Sequence, residues 1–138
     1  MICADKDFAD ISVGEKASFQ KEIDERDVDD FIKVSGDNNP LHADGKYAAN
    51  MEFKKRVVHG MYLGALVSRL IGTQLPGKRA LLLKEALEFK KPVFIGDTVH
   101  VSGTVLYKSQ SARILEISIE IRREDTTVVK GVVHVRVL

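Results

Sequence analysis

A regular alternation of apolar and polar residues runs through the C-terminal half of the chain and constrains the fold more than any other feature. In the clearest segment Leu115, Ile117, Ile119 and Ile121 alternate with charged and hydroxyl residues. Period-two alternation puts apolar side chains on one face of a strand and polar ones on the other. The residues expected on the apolar face of three further strands are Leu81, Leu83, Leu87 and Phe89, then Val99, Val101, Val105 and Tyr107, then Val129, Val133, Val135 and Val137. The pattern predicts an antiparallel sheet with one wet face.

A long apolar segment precedes these strands. It starts at His59-Gly60, and its apolar residues point in nearly every direction around a helix: Met61, Leu63, Ala65, Leu66, Val67, Leu70 and Ile71. A helix that is apolar on all sides is a buried one, and Pro76-Gly77 is expected to end it. This segment is therefore interpreted as the core helix.

The N-terminal half adds a first strand and two short helices. The strand is expected over residues 17–23, and Asp24 is a candidate N-cap for an amphipathic helix that stops at Ser35-Gly36. A second short helical piece is expected over residues 46–51. One buried helix, two short ones and four or five antiparallel strands give an α+β fold, and 138 residues form a single domain, 1–138.

The octamer SGDNNPLH, residues 35–42, joins a carboxylate and an imidazole in one irregular stretch. Gly36 frees the backbone, and Pro40 keeps Asn39 out of the helical region. Such a turn can bring Asp37 and His42 to one side, where they could share a water molecule as a general acid–base pair. The alternative is a polar surface loop with capping residues, and the octamer alone does not separate the two interpretations.

A longer pattern surrounds this octamer. Its positions are Phe31, Val34, Ser35-Gly36-Asp37, Asn39-Pro40-Leu41-His42 and Ala48, and the later segments VVHGMYLGALVS, QLPGK and FKKPVFIGDTV continue it. This spacing resembles the hydratase motif of MaoC-like enzymes, the (R)-specific enoyl-CoA hydratases or hydratase 2. The resemblance covers residues 31–98. It implies a hot-dog fold, in which an antiparallel sheet wraps around one long central helix, and pairing into a homodimer or higher homo-oligomer.

The resemblance also implies roles for individual residues. Asp37 and His42 would be catalytic, and the Gly60 N–H would contact the substrate oxygen that becomes negative. Ser68 and Asn39 would support the pair. His59 is expected to orient the turn or line the pocket, whereas His100 and His134 are interpreted as solvated or structural. Two positions depart from the relatives, since Arg56 and Gly45 stand where they carry proline.

Basic residues could bind a phosphorylated carrier near the pocket mouth. The candidates are Lys54, Lys55, Arg56 and Lys78, with Arg79, Lys90 and Lys91 in the same basic cluster, and an ordinary solvated face is the alternative. The implied substrate is an acyl-CoA thioester, or an acyl-carrier protein if the chain is a 3-hydroxyacyl-carrier-protein dehydratase. A hot-dog protein that only binds or hydrolyses acyl thioesters is the remaining alternative, and the intact Asp37/His42 motif argues against it.

Composition excludes several classes of protein. A net charge of +1 gives no field for nucleic acid or a membrane surface. The single cysteine, Cys3, excludes an internal disulfide, and no histidine pair has metal-site spacing on one helix, so neither a metal nor a cofactor is expected. Residues 1–11 lack the basic start and apolar core of a signal peptide. A cytoplasmic location is therefore expected.

Overall fold

The computed structural model describes residues 2–138, which form a five-stranded antiparallel sheet and four helices. The strands are β1 (Lys16–Glu22), β2 (Ala80–Phe89), β3 (Thr98–Ser109), β4 (Ile114–Arg123) and β5 (Thr126–Val137). The helices are α1 (Glu25–Ser35), α2 (Pro40–Ala43), α3 (Gly45–Ala49) and α4 (Gly60–Thr73), with a 3-10 turn at Phe8–Asp10. The sheet order β1-β3-β4-β5-β2 leaves β1 and β2 as its edges.

The core lies between α4 and the inner face of the sheet. Six residues of α4 that line this core are Tyr62, Leu63, Leu66, Val67, Leu70 and Ile71. The sheet contributes the alternating residues predicted for β4 and β5, all of them buried. Gly103 of β3 allows close approach, because a Cβ there would lie 2.9 Å from a methyl group of Leu70. The expected sheet around one long helix is confirmed.

The prediction that α4 is buried on all sides is wrong for a single chain. Met61 is 64% exposed, and Ala65, Ser68 and Gly72 continue the same open stripe along the helix. The helix also ends at Thr73, before Pro76. None of the helices within residues 2–138 has both the length and the apolar character needed to cross a bilayer.

Two register shifts change which face some strand residues occupy. The pairing of β2 with β5 shifts between Leu82 and Lys84, so Leu82 rather than Leu81 lies opposite the buried Val135. The pairing of β3 with β4 shifts between Val105 and Tyr107, and Tyr107 is consequently 61% exposed. A bulge adds a residue to one strand, which reverses the alternation beyond it. The expected apolar faces of β2 and β3 were therefore correct only on one side of each bulge.

Helix α1 is positioned by both of its ends. The Asp24 side chain accepts a hydrogen bond from the Asp27 N–H, and the Asp27 carboxylate accepts one from the Asp24 N–H, which confirms the predicted N-cap as a capping box. Gly36 ends the helix at φ +76°, a left-handed conformation that glycine adopts without strain. The chain then turns directly into Asp37.

Candidate active site

The octamer folds as a turn between two helices. The Asp37 carboxylate accepts a hydrogen bond from the Asn39 N–H at 3.3 Å. Asn39 then caps α2, since its side-chain oxygen accepts from the Leu41 N–H at 3.0 Å, and Pro40 occupies the first helical position. His42 follows within α2. These local bonds place Asp37 and His42 at either end of a short, rigid connection.

A carbonyl group fixes the tautomer of His42. Its Nδ1 lies 2.6 Å from the Val57 carbonyl oxygen, and because a carbonyl can only accept, Nδ1 carries the proton. In the neutral ring Nε2 then has a free lone pair. His42 is thus prepared to accept a proton at Nε2.

The buried side chain of His59 supports the turn. It is only 2% exposed, and its Nε2–H donates to the Asp37 backbone carbonyl at 2.9 Å. Its ring stacks on that of His42, with centroids 3.9 Å apart, and Phe31 contacts it edge-on. These contacts support the interpretation that His59 orients the turn, and this role stays a prediction. The sequence could not show that His59 also supports the His42 ring.

Asp37, His42 and His59 converge. One carboxylate oxygen and one nitrogen from each ring lie within 4.8 Å of one another. A water molecule that hydrogen-bonds to two groups spans up to about 5.5 Å, since each bond is about 2.8 Å long. The cluster is therefore compact enough for one water to bridge two of its members. Two imidazoles and a carboxylate are also a donor set for a transition metal, so the expected absence of a metal stays a prediction.

The cluster opens into a groove of about 290 Å³ at the start of α4. Its walls include His42, Phe53, Gly60, Leu63, Phe89 and Lys91. Gly60 is the first residue of α4, so its N–H has no acceptor within the helix and lies at the positive end of the helix dipole. A Cβ on Gly60 would lie 3.1 Å from the Phe89 ring. Glycine at this position therefore avoids crowding the Phe89 ring, which forms a wall of the groove.

Three residues expected at the site have other positions or roles in the chain. Ser68 is exposed on α4, two turns beyond Gly60, and is not a hydrogen-bond partner of Asp37 or His42. Lys78 follows the far end of α4, about 20 Å along the helix from Gly60 at 1.5 Å per residue. The Arg56 side chain is held by protein groups rather than directed to the groove. Asn39 supports the turn as a cap.

Other cations surround the groove. Lys90 and Lys91 line it, with Lys90 paired to Glu88, while Lys55 lies over the Phe94 ring at 4.3 Å and Lys54 is exposed nearby in sequence. The sequence showed these lysines as a basic cluster, but only the fold brings the 54–55 and 90–91 segments to one region. Nothing in the sequence indicated that Phe89 forms a wall of the groove or that the Val57 carbonyl binds His42.

The sequence-family model for the MaoC-like domain matches residues 9–129 of this chain. The chain belongs to the MaoC-like family. Over 98 residues it is 44% identical to an (R)-specific enoyl-CoA hydratase of Rhodospirillum rubrum, a match covering 71% of this chain and 68% of the relative. A 3-hydroxybutyryl-CoA dehydratase of Methylorubrum extorquens is 41% identical, with 71% and 62% covered. The aligned part thus spans about two thirds of these MaoC-like relatives.

A solved structure supports the same assignment. The unliganded R-hydratase of Pseudomonas aeruginosa superposes with a TM-score of 0.90 at 38% identity, covering 94% of this chain and 84% of that one. The shared fold of this MaoC-like chain therefore includes its sheet and the central helix.

Proposed function

We propose that this MaoC-like chain hydrates trans-2-enoyl-CoA to (R)-3-hydroxyacyl-CoA and catalyses the reverse dehydration. The observation that carries the proposal is the cluster of Asp37 and His42 beside the free amide of Gly60. Hydration needs a base for water, a proton for C2 and a partner for the thioester oxygen. This site contains a group suited to each requirement.

Water attack is assigned to the acid–base pair. Asp37 and His42 hold one water, and the free Nε2 of His42 takes its proton as the water oxygen bonds to C3. The electrons of the C2–C3 double bond move toward the thioester carbonyl, giving an enolate. The pair then returns a proton to C2, and one water has been added in total. Because both transfers come from one side, the addition is syn.

The enolate oxygen is assigned to the Gly60 N–H. Negative charge develops on this oxygen during attack, so an amide at the positive end of a helix lowers the barrier more than it stabilises the substrate. The groove beside Gly60 leaves room for the thioester, and Phe89 and Leu63 give it an apolar wall. The lysines at 54–55 and 90–91 carry positive charge near the groove, which suits the phosphates of CoA.

The active form is proposed to be a cytoplasmic homodimer. The open stripe on α4 and the unpaired edge of β2 leave apolar surface on a single chain. A second copy covers this surface without requiring a different partner.

An absorbance assay tests the activity. Purified protein is mixed with crotonyl-CoA, and loss of the enoyl band is followed beside thiol release, with and without EDTA. Hydration without thiol release, unchanged by EDTA, is expected, and chiral analysis should give the (R)-3-hydroxy product. Thiol release without hydration would establish a thioesterase. A large preference for crotonyl-carrier protein would assign the chain to the dehydratases that act on that carrier.

A further inference from the structure

The guanidinium of Arg56 connects helix α1 to the candidate catalytic histidine. Its side chain is only 12% exposed. Nε donates to the His42 backbone carbonyl at 2.5 Å, one terminal nitrogen to Glu25 at 2.9 Å and the other to Asp29 at 2.6 Å. Each nitrogen of the group thus has an acceptor within the protein. This arrangement leaves little of the charge for a substrate.

The segment around Arg56 holds His42 in more than one way. The next residue, Val57, accepts the His42 Nδ1–H through its carbonyl at 2.6 Å, and its own N–H donates to the Leu41 carbonyl at 3.2 Å. Arg56 therefore fixes the backbone of His42 while Val57 fixes its ring. Loss of the Arg56 contact would release the His42 backbone. The position of the His42 ring would then depend on its bond to Val57 alone.

The carboxylates at the other side of Arg56 belong to the helix that delivers Asp37. Glu25 and Asp29 lie on α1, which ends at Gly36 directly before Asp37. One side chain thereby links the support of both members of the acid–base pair. A planar guanidinium with several donors in fixed directions suits this connection better than an ammonium group.

We propose that Arg56 is a positioning residue that sets His42 relative to Asp37, and that it does not bind the substrate. The expected effect on catalysis rests on the hydratase function proposed above. It replaces the expectation that Arg56 belongs to the cations at the pocket mouth. Since a displacement of about 1 Å can cost 10²-fold in rate, a lost link of this kind is expected to act on kcat.

Substitution of Arg56 by methionine tests this role, because methionine keeps an unbranched side chain and removes every donor. Arg56→Met is expected to lower kcat roughly 10–100-fold, with KM for crotonyl-CoA changed by less than about twofold. Arg56→Lys keeps the charge and should recover only part of the rate. The control is Arg26→Met, which removes an exposed α1 cation and should leave both constants unchanged.

A second pair of variants tests whether Asp29 and Arg56 affect kcat through one connection or independently. Asp29→Asn removes one anchor and is expected to lower kcat less than Arg56→Met does. The double variant should be no slower than Arg56→Met alone, because both changes break the same connection. Additive losses would contradict the link through Asp29.

An NMR measurement tests the positioning even if the wild-type protein shows no hydration. The His42 Nδ1–H is expected to give a protected proton signal in the wild type and in Arg26→Met, and to lose protection in Arg56→Met. An unchanged signal in folded Arg56→Met would overturn the proposal. A higher KM at constant kcat would instead assign Arg56 to substrate binding, and a lower Tm at constant kcat would leave it a purely structural role. Failure of the wild type to hydrate enoyl-CoA would contradict the proposed function separately.

Discussion

At the residue scale, the proposed chemistry depends on Asp37 and His42. Asp37→Asn removes the charge of the carboxylate but keeps a turn-forming residue, and His42→Ala removes the free Nε2. Each change is expected to lower kcat by roughly 10²–10⁴-fold, the usual contribution of a positioned acid or base. Steady-state hydration of crotonyl-CoA measures the loss, and circular dichroism verifies the fold.

The matched control for this prediction is Asp44→Asn. Asp44 is another acidic residue of the same region, and its side chain caps α3 by accepting from the Lys46 and Tyr47 amides. Asparagine also caps helices well, so rate and stability should change little. If Asp37→Asn stays as active as Asp44→Asn, the assignment of Asp37 is wrong.

Gly60 can be separated from an ordinary packing glycine by comparison with Gly64. A Cβ would meet a side chain at 3.1 Å at both positions, the Phe89 ring at Gly60 and a Glu85 oxygen at Gly64. Gly60→Val is expected to lower kcat by about 10²–10³-fold, the scale of one lost oxyanion donor, because the side chain displaces the substrate oxygen from the amide. Gly64→Val, one turn further along α4, should mainly lower the melting temperature.

Both quantities are measured on the same purified samples of each glycine variant. Equal rate losses for the two variants would show that crowding of α4 explains the effect. A destabilised but fully active Gly60→Val protein would exclude the oxyanion role.

The sequence predicted some residues of the site and not others for a physical reason. Asp37, Asn39 and His42 lie in one turn, where short-range backbone preferences and side-chain chemistry can be read directly. Arg56 and Val57 act on His42 from 14 and 15 residues away, through tertiary contacts that no local pattern contains. The sequence showed Arg56 as a cation, but the carboxylates that satisfy it come from α1, 27 and 31 residues earlier.

At the scale of elements, alternation predicted the strands but not their irregularities. Strands β4 and β5 bury all the residues expected on their apolar faces, although their pairing also shifts between Ile121 and Arg122, where Val128 is buried beside Val129. In β2 and β3 a register shift moves the face, and Glu85 lies opposite the buried Val133 as a result. Burial raises the pKa of the Glu85 carboxyl. A bulge depends on pairing with a neighbouring strand, so the pattern of a single strand does not reveal it.

Gly131 is the residue that allows β2 to lie close to β5. A Cβ there would fall 2.1 Å from the Ala86 carbonyl oxygen and 2.7 Å from a Leu87 methyl group. Gly131→Ala is therefore expected to separate the strands and cost about 1–3 kcal/mol, the usual range for overpacking. Urea unfolding measures this loss.

Gly45→Ala provides the comparison for Gly131, since no atom lies within 4 Å of a Cβ at that helical position. It should leave stability equal or raise it by up to about 1 kcal/mol. Equal urea midpoints for the two alanine variants would show that β2 moves away from Gly131 without a loss of stability.

At the scale of the whole molecule, the two edges of the sheet differ in character. Edge β1 carries charged residues, including Lys16 and Lys21, which oppose pairing with another strand. Edge β2 begins with Ala80 and three leucines, and Leu83 is 50% exposed. Beside it runs the open stripe of α4 that starts at Met61. The β2 edge and the neighbouring stripe thus form one exposed surface that is more apolar than the β1 edge.

The position of this surface leads to a prediction about assembly. Two copies that pair β2 to β2 would satisfy unpaired backbone groups and cover both apolar faces with one two-fold contact. Light scattering is expected to give about twice the 15.4 kDa chain mass at micromolar concentration. Leu81→Glu combined with Leu83→Glu places four carboxylates along such a pair of edges, and this variant should shift toward the monomer because like charges face one another.

Leu106→Glu is the control for assembly, because Leu106 is similarly exposed but lies on β3, which has neighbours on both sides. It adds a carboxylate without touching the β2 edge, and the dimer should persist. If the double variant also remains dimeric, the contact lies elsewhere, and the stripe on α4 is the next surface to substitute. A stable wild-type monomer would show that the β2 leucines remain exposed to solvent, and the predicted homodimer would be wrong.

Phe89 lines the groove on this same strand. Hydration activity measured across the concentration range in which the dimer dissociates therefore shows whether assembly also shapes the active site.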